Sequence, residues 1–228
     1  MTNRLCLRVA YRYLGDLGRR EQGGAALALA EGKAAKSRTR RTQILNCAIE
    51  ILGTEGASGL THRAIDHRLG FPEGTTSNYF RTKLAILEAA QESMWESDME
   101  AMHRILEAAA DDRSSVASGS DAAISVIEAW MRGEGGRLRQ RARMEIQLLA
   151  PNSDELWLQA RNFSTSTRDS IARFLDDMGL QGTEDHVRIL QALGNGLILD
   201  RVLWGREGSP LSADALKQTL TAIFESWK

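Results

Sequence analysis

From Thr39 onward the apolar positions recur every three or four residues and hardly ever alternate. Ile44, Leu45, Ala48, Ile49 and Leu52 fall at i, i+1, i+4, i+5 and i+8, one face of a helix. Gly53 and Gly56 end that face, and Gly59 follows in a connecting loop. Thr61 has the chemistry of an N-cap for a helix through Ile65 and Leu69, and Gly70 has the freedom of a C-cap. Pro72 and Glu73 suit the first turn of a third helix, where a missing N–H is harmless and an acidic group favours the helix dipole. That helix lasts only to Tyr79 or Phe80. Thr82 then opens a long helix through Ile86, Leu87, Ala90 and Met94, extending toward Ala108.

After a serine-rich loop from Asp111 to Ser120, periodic segments follow at about 121–132, 137–149, 153–178, 184–204 and 212–227. Glycine and proline separate them, at Gly133-Gly135-Gly136, Pro151-Asn152, Gly179-Gly182 and Gly205-Gly208-Pro210. Neither strand alternation nor an internal repeat appears, so the pattern predicts an all-α fold of about nine helices. Residues 1–38 stand apart: Arg4, Arg8, Arg12, Arg19 and Arg20 interrupt every apolar run, and Gly23-Gly24 breaks the rest. They read as a flexible basic arm, or as residues upstream of the true translation start. A secretory signal would need an uninterrupted apolar centre.

Composition adds limits. Hydrophobic residues make up 43% of the 228-residue chain and charged residues 26%, with no run long enough to span a membrane. Two cysteines, Cys6 and Cys47, make no disulfide framework and fit a reducing cytoplasm. The net charge of −1 hides an asymmetry. Residues 1–90 carry 14 Lys/Arg against 8 Asp/Glu, and residues 91–228 carry 15 against 22, giving +6 and −7. One end of the molecule is therefore suited to a polyanion.

The third helix then explains itself. It is barely two turns long and filled with Thr75, Thr76, Ser77 and Asn78, poor choices for packing but good ones for reading DNA. Two helices joined by a tight turn form a helix-turn-helix, whose second helix enters a major groove about 12 Å wide. Threonine offers a hydroxyl and a methyl to base edges, so Thr75 and Thr76 are candidates for base readout, with Asn78 able to serve bases or phosphates. Thr61, Arg63, Ser77, Tyr79 and Lys83 surround the helix as phosphate candidates, which position without carrying sequence information.

Gly56, Thr61, Ile65, Gly70-Phe71, Gly74-Thr75, Tyr79-Phe80 and Thr82-Lys83 resemble, at matching spacings over residues 40–90, the DNA-binding region of the tetracycline-repressor (TetR) family of bacterial transcription regulators. Three positions depart from that pattern. Asp66 stands where the family usually has a small alanine, Pro72 replaces a Ser or Thr cap, and Ser77 replaces a phosphate-touching Tyr. Beyond the basic arm 1–38, the resemblance implies a three-helix DNA-binding domain at 39–82 and a larger helical domain at 83–228 that binds an effector and dimerises. It implies a cytoplasmic homodimer on double-stranded DNA, a repressor rather than an activator, released from a palindromic operator by an unknown small molecule.

Residues of the larger domain agree with this. Gly194 and Gly196 inside a helix each cost about 1 kcal/mol relative to alanine, a cost tolerated where backbones approach closely. A dimer seam of Gly194, Gly196, Leu197, Ile198 and Leu203 would explain them, as would packing within the chain. Trp95, Met99, Met102, Trp130, Met131 and Trp157 could line an effector pocket, although the same residues at helical spacing also make plain core. Arg141 and Glu145, four apart, suit a surface ion pair, and Arg143 or Glu145 could instead orient a ligand.

Other functions fit less well. The four histidines are scattered, and His62 and His67 do not share a helix face as metal ligands would. Neither a phosphate-cradling loop nor a nucleophile elbow is present, so no enzyme, cofactor or metal is expected. A sequence-independent DNA-packaging protein would need a broader basic surface than a −7 body offers. A helical protein-interaction module, its turn never meeting DNA, is the remaining alternative.

Overall fold

The computed structural model of the chain describes residues 24–109, 115–180, 182–204 and 212–228. Among these residues there are nine α-helices and no strand, the all-α fold read from the periodicity. They are α1 (Gly24–Gly59), α2 (His62–Leu69), α3 (Thr75–Tyr79), α4 (Lys83–Ala109), α5 (Val116–Trp130), α6 (Gly133–Leu149), α7 (Asp154–Asp177), α8 (Glu184–Trp204) and α9 (Ala213–Glu225). The chain divides into two units, Met1–Arg41 and Thr42–Lys228. Of the arm read at 1–38, residues 1–23 lie outside the described residues, and the remainder belongs to α1.

Two cores organise the unit that begins at Thr42. The first gathers Ile44, Ile51, Leu52, Leu60, Ile65, Phe80 and Ile86 from α1 to α4, together with Ala142 and Ile146 of α6 and Leu156 of α7. The second gathers Met102, Ile127, Trp130, Leu175, Ile198, Leu220 and Phe224. Helix α4 belongs to both: Ile86 to Met94 lie in the first core, and Met99 and Met102 in the second.

Close approach fixes where α6 meets α1. A Cβ on Gly53 would lie 2.5 Å from the Leu138 carbonyl oxygen, so only glycine fits there. At Gly56, where φ is 74°, α1 kinks, and the freed Ala57 N–H donates to Glu145 Oε2 at 2.9 Å. Lys83 Nζ donates to the carbonyl oxygen of the same Ala57. Glu145 is thus committed to α1 rather than to the surface pair with Arg141 that its spacing suggests.

The serine-rich loop is shorter than the sequence predicts. Ser115 caps α5 by accepting from Ser118 N at 3.2 Å, so Ser118, Gly119 and Ser120 are helical. Gly119 is there for contact: a Cβ would meet Met178 Sδ at 2.3 Å.

Candidate nucleic-acid interface and effector cavity

Thr61 is the N-cap the sequence predicts, its Oγ1 accepting from Ala64 N at 3.0 Å, and Gly70 ends α2 with φ 63°. Thr82 likewise accepts from Ala85 N at 3.0 Å to cap α4. Helix α3 is different. Gly74, at φ 87°, precedes it and offers no side chain to cap it. The cap comes from Asp66 on α2, whose Oδ2 accepts from Gly74 N at 2.9 Å and whose Oδ1 accepts from Thr76 N at 2.8 Å and from Thr76 Oγ1 at 2.6 Å.

Asp66 is 3% exposed and Thr76 wholly buried. Burying a carboxylate costs several kcal/mol, and three hydrogen bonds to it return about 1.5–3 kcal/mol each. The two nearly offset, so the contribution of this carboxylate lies in geometry more than in stability. It also places a negative charge at the positive end of a helix too short to hold itself.

This removes Thr76 from base readout. Its hydroxyl is spent on Asp66 and its side chain faces the core, so it locks α3 rather than reading DNA. The outward face of α3 is Thr75, Ser77 and Asn78. Thr75 is half-buried and its Oγ1 donates to Pro72 O at 2.6 Å, leaving its lone pairs and methyl for a base edge. Ser77 is exposed with Oγ donating to Gly74 O at 2.8 Å, and Asn78 is exposed. Tyr79 packs partly against the first core, and His62 Nε2 sits 2.6 Å from Phe80 O, joining the start of α2 to the end of α3.

The phosphate candidates flank this face. Thr61 is exposed, and Arg63 is in a solvent-exposed ion pair with Glu73 at 3.8 Å, which a phosphate can displace at little cost. Lys83 is exposed but already tied to Ala57, so its ammonium also holds the α1 kink.

A second site opens in the C-terminal domain. A cavity of about 190 Å³ is walled by Met102, Trp130, Phe163, Ile171 and Phe174, with Gly194 and Leu197 on its α8 side. Met102 and Trp130 are the two expected pocket residues that line it. Trp95 and Met99 border a different recess beside His103 and Arg173, and Met131 packs against the second core. Trp157 is 50% exposed beside Arg161 and lines none of these spaces.

Arg143 is buried behind the cavity. Its Nη1 meets Asp98 Oδ2 at 3.0 Å, and its guanidinium stacks over Trp130 at 5.5 Å and Phe163 at 5.3 Å. Gln140 Nε2 donates to the same Asp98 oxygen at 3.3 Å, and Trp130 Nε1 donates to the Asp98 carbonyl at 2.9 Å. Burial pushes the Asp98 carboxyl up from its ordinary value against the pull of Arg143, and burial pulls Arg143 down. Arg143 is thus paired with Asp98 and stacked on the wall, and does not itself line the cavity.

The seam expected on α8 also changes. Leu197 and Ile198 are buried in the chain's own core, Gly194 lines the cavity, and only Gly196 and Leu203 remain outward. The outward stripe is Ile189, Ala192, Gly196, Leu199 and Leu203, at alternating spacings of three and four. Ile189, Leu199 and Leu203 are 52%, 44% and 57% exposed, large apolar side chains along one side of the helix. Apolar residues fall on most sides of α8 between Leu190 and Leu199, so spacing alone could not choose the face.

Residues 114–226 match the family model described as tetracyclin repressor-like, C-terminal domain. A transcriptional regulator from Rhodococcus sp. Rha1 superposes with a TM-score of 0.66 at 16% identity, covering 82% of this chain and 94% of its own. A TetR-family member from Streptomyces coelicolor A3 gives 0.62 at 24% identity, with 81% and 98% covered. The multidrug binding protein EbrR, complexed with ethidium, gives 0.59 at 24% identity, with 81% and 97% covered. No curated protein matches the chain. No described helix is long and apolar enough to cross a membrane. Residues 114–226 are therefore similar to the C-terminal domain of tetracyclin repressor-like proteins, and the chain shares its fold with these regulators.

Proposed function

We propose that this protein is a regulator of the TetR family, a homodimeric, ligand-responsive repressor that reads a palindromic operator in the cytoplasm. The observation that carries the reading is the Asp66 clamp, which holds a five-residue helix with Thr75, Ser77 and Asn78 turned outward. Beyond Thr76 and Tyr79 this helix has little to pack, so the clamp adds mainly a fixed orientation, which is what base readout requires. Residues 39–82 form the reader, with Thr75 and Asn78 on bases and Thr61, Arg63, Ser77, Tyr79 and Lys83 on phosphates. Residues 83–228 form the sensing and dimerising body. Selection of bound sequences from random duplex DNA tests this: a palindrome with half-sites spaced by the helical repeat is expected. Binding without enrichment would favour a packaging protein, and absence of binding an interaction module.

Two further results are expected. Thr75→Ala relaxes the preference at one operator position by about 1 kcal/mol, roughly fivefold, seen by repeating the selection. Arg63→Ala instead weakens all sequences alike and lowers the salt slope by about one phosphate's worth, checked by anisotropy across a salt series.

Dimerisation is assigned to the α8 stripe. Leu199→Glu with Leu203→Glu places two carboxylates on an apolar face, and the monomer–dimer midpoint in sedimentation is expected to rise at least about tenfold. Palindrome binding then loses its cooperativity. An unchanged midpoint would move the seam elsewhere.

For release by ligand, the supporting arrangement is the route from cavity to reader. Gln147 lines the cavity two residues beyond Glu145, which holds Ala57, and Met102 lines it on the same helix that begins at Lys83. A ligand that prefers one placement of α4 and α6 shifts the reader by no more than that preference.

A further inference from the structure

We infer that the effector is an uncharged molecule of one or two fused rings bearing a small amide-like polar group, and that the cavity discriminates against cations and anions of the same size. This rests on reading the cavity as the effector site. Its volume is about 190 Å³, somewhat above the roughly 150 Å³ of an apolar cavity that admits benzene. Among the described residues, no charged side chain lines it. An ion entering would shed its water and meet no counter-charge, at a cost of several kcal/mol.

The charges just behind the wall argue the same way. Trp130 and Phe163 already carry the Arg143 guanidinium on their π systems, so a ligand cation seeking those rings meets a resident cation. The carboxylate that could have attracted it, Asp98, is engaged by Arg143 and Gln140, with Arg139 a further 3.9 Å away. Two guanidiniums against one carboxylate leave this cluster positive. An anion gains little from it, because Arg143 does not line the cavity and lies behind the rings.

The polar groups facing the space are neutral and mostly occupied. Ser164 Oγ donates to Gln191 Oε1 at 3.2 Å and accepts from Arg168 Nη1 at 3.2 Å, an arginine that does not itself line the cavity; Gln191 Nε2 donates to Ser164 O at 3.0 Å, and Thr167 Oγ1 donates to Phe163 O at 2.9 Å. Gln147 and Asn195, both exposed, stand at the mouth. Each amide offers a donor and an acceptor together, the complement of another amide.

The test uses calorimetry on the full chain with three ligands that share one ring system: 2-naphthamide, 2-naphthoate and 2-naphthylmethylammonium. The amide is expected to bind at least about tenfold more tightly than either ion. Gly194→Leu, whose added Cβ would meet nothing within 4 Å, should abolish that binding while circular dichroism stays unchanged. Equal or tighter binding of the ammonium or the carboxylate overturns the inference and leaves the cavity as effector site. Binding of the amide that persists in Gly194→Leu, or no binding of any of the three, also overturns it. Amide binding that leaves operator affinity unmoved supports the ligand class and counts against regulation through this cavity.

Discussion

Asp66→Ala is expected to lower operator affinity by about two orders of magnitude, with the C-terminal domain still folded. Three hydrogen bonds converge on this one carboxylate, each worth about 1.5–3 kcal/mol when made to a charged acceptor. Alanine leaves Gly74 N, Thr76 N and the buried Thr76 hydroxyl without their acceptor, so α3 loses its start. Losing even one such bond in the DNA-bound geometry is worth about tenfold. Anisotropy titration with the selected duplex measures it, and sedimentation reports whether the dimer persists. A second variant separates clamp from charge. Asp66→Ala with Thr76→Val removes the stranded hydroxyl along with the carboxylate, and partial recovery of affinity is expected, because replacing both partners of a buried bond costs less than removing one. Unchanged affinity in the single variant would show that α3 is held by something else.

Arg143→Met is expected to destabilise the folded chain by about 3 kcal/mol, since it removes the nearer cation from buried Asp98 and leaves only Arg139 at 3.9 Å. The loss includes stacking on Trp130 and Phe163, about 0.5–2 kcal/mol of cation–π attraction. Urea unfolding should show a lower midpoint with an unchanged slope. Asp98→Leu with Arg143→Met should recover most of the loss, because an apolar pair avoids the desolvation that the ion pair must overcome. If both variants unfold at the same lower midpoint, the cost comes from lost packing rather than from an unpaired charge.

Much of this architecture is legible in the chain because short-range chemistry writes it. Thr61, Gly70 and Thr82 cap or end helices where their side chains predict, and the Ile44 to Leu52 face is buried as its spacing requires. Thr76 is not legible as a structural residue from spacing, because its partner Asp66 lies ten residues away. A threonine on a short helix looks like a reader until a buried carboxylate is found facing it, and Asp66 carried that signal as an acid beside Ile65 in an apolar stripe. Trp157 and Arg143 reversed their expected places for a similar reason. Periodicity reports that a position is amphipathic, but which neighbour covers it depends on tertiary contacts. On α8 the apolar residues run nearly all round, so the buried pair Leu197 and Ile198 could not be told from the outward Leu199 and Leu203.

The shared first core has a consequence for anyone recombining such proteins. Ala142, Ile146 and Leu156 belong to the body yet complete the packing of α1 and α2, and the Leu138 carbonyl rests where Gly53 has no side chain. The proposed reader and sensor are therefore not cassettes. A chimera that joins this reader to another sensing body inherits an uncovered apolar surface and a glycine facing the wrong neighbour. To keep its grip on DNA, the graft must bring a matching stretch of α6, with an acceptor for Ala57 and a backbone at the Gly53 contact.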